Sequence, residues 1–117
     1  MLNLDTTFAD WLETEPLTWN QETVPHPLGT TERFYAEHID VGYFIQEEYV
    51  GKFSIYIYQT DGTYPLDRFV GAEFYMCVDS FERAKQLVYI MLFDLLKVRI
   101  VSTDLRKELE GEEGDKE

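Results

Sequence analysis

The middle of the chain alternates. Read as a strand, "KFSIYIYQ" from Lys52 to Gln59 points Phe53, Ile55 and Ile57 one way and Ser54, Tyr56 and Tyr58 the other. "RFYAEHI", "GYFIQEEYV" and "FVGAEFYMCV" are similarly rich in aromatic and β-branched residues and are punctuated by glycine, which predicts about four strands. The breaks at Asp40-Val41-Gly42 and Val50-Gly51-Lys52 predict tight hairpins and hence an antiparallel meander. From Gln59 to Phe69, Asp61-Gly62 and Pro65 predict a longer loop.

Helical spacing governs the two ends. In "LDTTFADWLETEP", Phe8, Trp11 and Leu12 share one face, Asp5, Thr6 or Thr7 is placed to cap, and Pro16 lies past the end. The prolines around His26 and then Gly29 predict an irregular connection, with Trp19 in a short strand or anchoring the loop. "VDSFERAKQLVYIMLFDLLK" predicts a long helix over residues 80–97, with Asp79 as cap and Glu82 completing a capping box. Phe81, Ala84, Val88, Met91 and Leu95 form one stripe. The second half is apolar almost all round and needs cover on more than one side. "VRIV", 98–101, fits either a helix extension or a last strand. "STDLRKELE" fits a further short helix, and residues 111–117 an acidic flexible tail. The expected architecture is α+β: an antiparallel sheet of about four strands, a long helix from the C-terminal half packed on one face, and a short N-terminal helix. Residues 1–110 form a single domain in this reading.

Faces follow from the alternation. Val70, Ala72, Phe74, Met76 and Val78 form an apolar face assigned to the helix-covered core. Phe69, Gly71, Glu73, Tyr75 and Cys77 then look outward, beside Ser54, Tyr56 and Tyr58. One face of the third segment offers Tyr43, Ile45, Glu47 and Tyr49, and one face of the second offers Tyr35, Glu37 and Ile39. The expected outer face mixes tyrosine with glutamate. Tyrosine supplies contact area with few torsions to freeze and a hydroxyl that stays wet. Alternate carboxylates on a strand stand roughly 6.5–7 Å apart, close to the phosphate spacing of an extended nucleic-acid strand. The plain alternative is that tyrosine sits in strands because it packs well on a pleated surface.

Charge sharpens this picture. The 117 residues carry a formal net charge of −13, which argues against direct binding to nucleic acid or to an anionic membrane. The acidity is uneven: residues 1–32 carry −6, 33–50 carry −3, 51–103 are neutral and 104–117 carry −4. Cys77 is the only cysteine, so no intramolecular disulfide forms and a cytoplasmic setting is expected. The N-terminus lacks the pattern of a secretory signal. The longest apolar run, "LVYIMLF", is far short of the roughly 20 residues that span a bilayer.

Candidate chemistry is sparse. His26 and His38 have no partner ligand at helical spacing, and no metal or cofactor is expected. Cys77 lies before a helix N-terminus, but no histidine partner is near it in sequence, so a packed or idle thiol is expected. Asp61, Asp67, Glu73 and Asp79 show no pattern that converges two carboxylates for acid–base work. No catalytic residue is assigned, and no enzymatic activity is expected. The expected function is that of a small acidic binding protein that inhibits a basic, nucleic-acid-binding or nuclease partner. Nucleic-acid mimicry is one route, as in phage anti-defence or toxin-immunity proteins. The partner-binding residues would be Tyr56, Tyr58, Glu73 and Tyr75, with Glu37, Glu47 and Glu48 behind them. The alternative is a homodimer or larger assembly built through the apolar helix 80–97.

Overall fold

The structure, a computed structural model, describes residues 2–60 and 71–115, with side chains as far as Leu109. The fold is α+β. The elements run α1 (Phe8–Glu13), β1 (Asn20–His26), β2 (Gly29–His38), β3 (Val41–Tyr49), β4 (Lys52–Gln59), β5 (Glu73–Val78) and α2 (Phe81–Asp115). Among the described residues the sheet has five strands in the order β1-β2-β3-β4-β5, all neighbours antiparallel. The expected loop from Gln59 to Phe69 falls largely outside the described residues.

One strand more than expected is present. β1 contains Pro25, which pairs with Thr30 across a tight hairpin. Proline donates no backbone bond, so it is tolerated here because β1 is an edge. Pro25, which reads as a loop signal, thus lies in an outer strand of the sheet among the described residues, while Pro27 falls in the turn.

The chain forms two compact units. The larger, residues 15–88, holds the sheet and the first turns of α2. Its core lies between them. Ile45 pairs with Ile55, Tyr43 with Ile57 and Ala36 with Tyr43, so these side chains share a face. Ala36, Ile45 and Ile55 are fully buried there, and Tyr43 is nearly so. Phe81 lies against Phe34 and Phe53, with ring centroids 4.5 and 6.1 Å apart. Ala84 and Val88 follow at helical spacing and are fully buried.

The smaller unit joins residues 1–14 to α2 from Tyr89 onward. Thr7 caps α1, its Oγ1 accepting from the Asp10 amide at 3.2 Å. The Phe8 and Trp11 rings each lie 5.3 Å from Phe93, and Trp11 is 6.1 Å from Tyr89. The Lys97 ammonium donates to the carbonyls of Asn3 and Leu4 at 2.6 and 2.8 Å.

Two helix expectations change. The cap of α2 is Ser80, whose Oγ accepts from the Arg83 amide at 3.1 Å. Asp79 instead pairs with Lys52 at 2.5 Å. That hydrogen bond and the neighbouring ammonium hold its carboxyl below the usual range. The helix also does not stop and restart. "VRIV" and "STDLRKELE" continue it unbroken, because no glycine or proline interrupts residues 98–110. Among the described residues no helix is long and apolar enough to cross a membrane.

Candidate functional site

The face of the sheet away from α2 is built by Glu22 of β1, Arg33, Tyr35 and Glu37 of β2, Gly42, Phe44 and Gln46 of β3, and Ser54, Tyr56 and Tyr58 of β4. The pairs Glu22–Arg33, Arg33–Gln46, Tyr35–Phe44, Glu37–Gly42, Phe44–Tyr56 and Gly42–Tyr58 fix it. This corrects the assignment of β3. Tyr43 and Ile45 face the core, and Phe44 takes the outward position.

Phe44 is the centre of this face. Tyr56 stacks on it at 4.5 Å with the rings 13° from parallel, and Tyr58 approaches at 6.2 Å. The Arg33 guanidinium sits 4.7 Å from the Phe44 ring centroid. Arg33 also donates to Gln46 at 3.2 Å and pairs with Glu22 at 3.3 Å. These contacts close the surface. Phe44, Ser54 and Tyr58 are buried, so the expectation of phenols turned wholly to solvent fails at Tyr58. The physical reason is Gly42. With no side chain opposite it, the Tyr58 ring folds down, and a Cβ on Gly42 would stand 2.3 Å from Tyr58 Cζ.

Tyr56 is half-buried. Its hydroxyl donates to the Glu48 carboxylate. Burial first, and then that carboxylate, push its pKa up to about 12. Glu47 accepts from the Gly51 amide at 3.1 Å, which ties it to the β3–β4 turn. Glu37 lies exposed on β2.

β5 carries a register break. Met76 pairs with Ile55, but Phe74 pairs with Tyr56, leaving Tyr75 as the extra residue of a bulge. Phe74 therefore belongs to the outer face, with its ring 5.7 Å from Tyr56. Glu73 pairs with Ile57 of the opposite face. The expected division of β5 into a core set with Phe74 and an outer set with Glu73 is reversed at these two positions. Phe74, Tyr75 and Met76 are 59%, 46% and 41% exposed.

Of the seven residues singled out from the sequence, the fold gathers Tyr56 and Glu48 into one contact. Tyr58 is buried beside them, Glu37 lies on the same face, and Glu47 is given to a turn. Glu73 and Tyr75 stand on the outer strand. Sequence reasoning missed Phe44, Arg33 and Phe74. A signal for the first was available: an alternation anchored on Ile45 as core makes Phe44 outward.

His26 is engaged by the backbone, whereas His38 has its Nδ1 buried. His26 Nε2 donates to the Glu48 carbonyl at 2.8 Å, so Nδ1 is left to accept from the Leu28 amide at 3.2 Å. Among the described residues no three His, Cys, Asp or Glu side chains come together as a metal site. Cys77 is exposed on β5.

Acidity is concentrated on one side of the sheet sequence. Residues 20–50, which form β1 to β3, carry six acids against Arg33 alone, whereas residues 51–103 are neutral. Comparison with protein families, curated proteins and solved structures found no match to this chain.

Proposed function

We propose that this chain is a small acidic binding protein that docks on, and blocks, a basic protein of the nucleic-acid-binding or nuclease class. The observation that carries this reading is the acidic half of the sheet, with six acids and one arginine over residues 20–50 on a chain of net charge −13. A field of that sign accelerates encounter with a cationic surface. Tyr35 and Tyr56 lie on the outer face among these acids and supply aromatic contact area.

The contacts favour steering over close imitation of a phosphate row. Glu22 is held by Arg33, Glu48 by Tyr56 and Glu47 by a turn amide. Carboxylates engaged in this way still contribute to the long-range field, but their geometry follows the sheet and not a nucleic-acid backbone.

The test is capture from an extract of the source organism at low and at high salt, with the wild type and with Glu37→Lys/Asp40→Lys. Both positions are exposed. A basic protein held by the wild type, released by salt and lost from the variant is the expected result. A captured protein whose retention ignores both salt and the two substitutions overturns the reading.

A further inference from the structure

Leu28, Tyr49 and Val50 are 86%, 70% and 99% exposed. Leu28 and Val50 occupy the tight turns Pro27-Leu28, between β1 and β2, and Val50-Gly51, between β3 and β4, and Tyr49 flanks the second. Such turns ordinarily hold glycine, asparagine, aspartate or serine. Gly51, with φ 77°, meets the demand of its own turn. Leu28 and Val50 meet none, and their exposure leaves them almost without cover. Aliphatic side chains that break a local preference with no gain to the fold mark a surface with another use.

One imidazole joins the two tips. His26 accepts from the Leu28 amide at Nδ1, at 3.2 Å, and donates to the Glu48 carbonyl from Nε2, at 2.8 Å. Thr31 Oγ1 donates to the Glu47 carbonyl at 2.7 Å, and the Glu47 carboxylate accepts from the Gly51 amide at 3.1 Å. The three apolar side chains are thus carried on hairpin ends already tied to one another. The described chain is interrupted between Gln59 and Glu73, at the opposite end of the sheet.

We propose, building on the binding reading above, that Leu28, Tyr49 and Val50 are the apolar anchor on which a basic protein seats. Charge selects this occupant. Glu47 and Glu48 lead directly into the second tip, and Glu32 lies just beyond the first. Lys52 is neutralised by Asp79, and Arg33, the only Lys or Arg of residues 20–50, pairs with Glu22. A second copy of this chain would bring the same glutamates against these, and an anionic membrane would be repelled likewise. A cationic surface is attracted, and an apolar centre with a charged rim is the ordinary anatomy of a protein interface. Steering and anchoring then separate. Glu37 and Asp40, at the far end of the sheet, act on the encounter, whereas the tips act on retention.

A photo-crosslinking amino acid placed at Leu28, at Val50 or, as a control, at the exposed Thr103 tests this. Each labelled chain is irradiated in an extract of the source organism at low salt. One basic protein is expected to cross-link from positions 28 and 50 and not from 103. With that protein purified, Leu28→Asn/Val50→Asn should weaken binding at least tenfold, mainly through faster dissociation. The thermal midpoint of the variant should equal or exceed that of the wild type, because asparagine is an ordinary turn residue and neither side chain is buried. A cross-link from the tips to a second copy, to lipid or to a protein that is not basic overturns the proposal. So does an affinity that the double variant leaves unchanged, or one that falls together with the midpoint. Salt-sensitive capture of a basic protein without a cross-link from either tip overturns the anchor and leaves the broader binding reading standing. Neither cross-link nor salt-sensitive capture overturns both.

Discussion

Replacing Gly42 by alanine should destabilise this protein through one side chain, the ring of Tyr58. The two residues pair across β3 and β4. An added Cβ falls 2.3 Å from Tyr58 Cζ, 2.5 Å from Cε2 and 2.7 Å from the hydroxyl oxygen. Normal contact requires well over 3 Å, so the ring must move by about 1 Å or more. It has little room, being only 3% exposed and lying against Phe44. Swinging fully into water would forfeit about 4–6 kcal/mol, from roughly 150–250 Å² of aromatic surface at about 25 cal/mol per Å². Local strain is the cheaper response, at about 1–3 kcal/mol. Alanine recovers about 0.5–1 kcal/mol of the chain entropy that glycine costs in a strand. The net expectation is a loss of about 1–2 kcal/mol, or roughly 3–12 °C in thermal midpoint for a chain of this size. Thermal and urea unfolding followed by circular dichroism measure it.

A double-mutant cycle isolates the cause. In a Tyr58→Leu background the ring tip is gone, and Gly42→Ala should become neutral or stabilising by up to about 1 kcal/mol. If Gly42→Ala costs the same in both backgrounds, or stabilises the wild type, the ring is not what the glycine accommodates, and this account of why Tyr58 is buried is wrong.

Two further predictions concern a cap and a proton. Ser80→Ala should cost about 1 kcal/mol by freeing the Arg83 amide, and in urea denaturation Asp79→Ala should cost less, because Asp79 holds Lys52 and does not cap α2. Tyr56 should ionise near pH 12 in a spectrophotometric titration, and Glu48→Gln should bring that value down by removing the carboxylate's hydrogen bond and charge. The sign for stability follows. With the folded pKa raised above the unfolded value of about 10, Tyr56 favours the folded state below pH 10. That contribution declines as pH rises from about 10 to about 12. A Glu48→Gln protein whose high-pH titration overlays the wild type would refute the contact.

Local pattern fixed a good deal of this molecule. Strict alternation in "KFSIYIYQ" placed Ile55 in the core, and it is fully buried. Glycines and hairpin spacing gave the antiparallel meander, and the 81, 84, 88 spacing gave the covered side of α2. These are period-2 and period-3.6 signals carried by neighbours in sequence. Length and charge order were equally plain, because they need no coordinates.

Three things depended on what lies opposite. Pro25 reads as a breaker until β1 proves to be an edge, where a missing donor costs nothing. Tyr58 reads as a surface tyrosine until Gly42, sixteen positions earlier, proves to be its cross-strand neighbour and leaves a hollow for the ring. Phe74 and Glu73 read one face off until the bulge at Tyr75 shifts the register by one residue. Alternation within a strand says which residues share a face. Which face is buried, and where that alternation slips, is decided by the atoms of other strands, and these come together only when the sheet has formed.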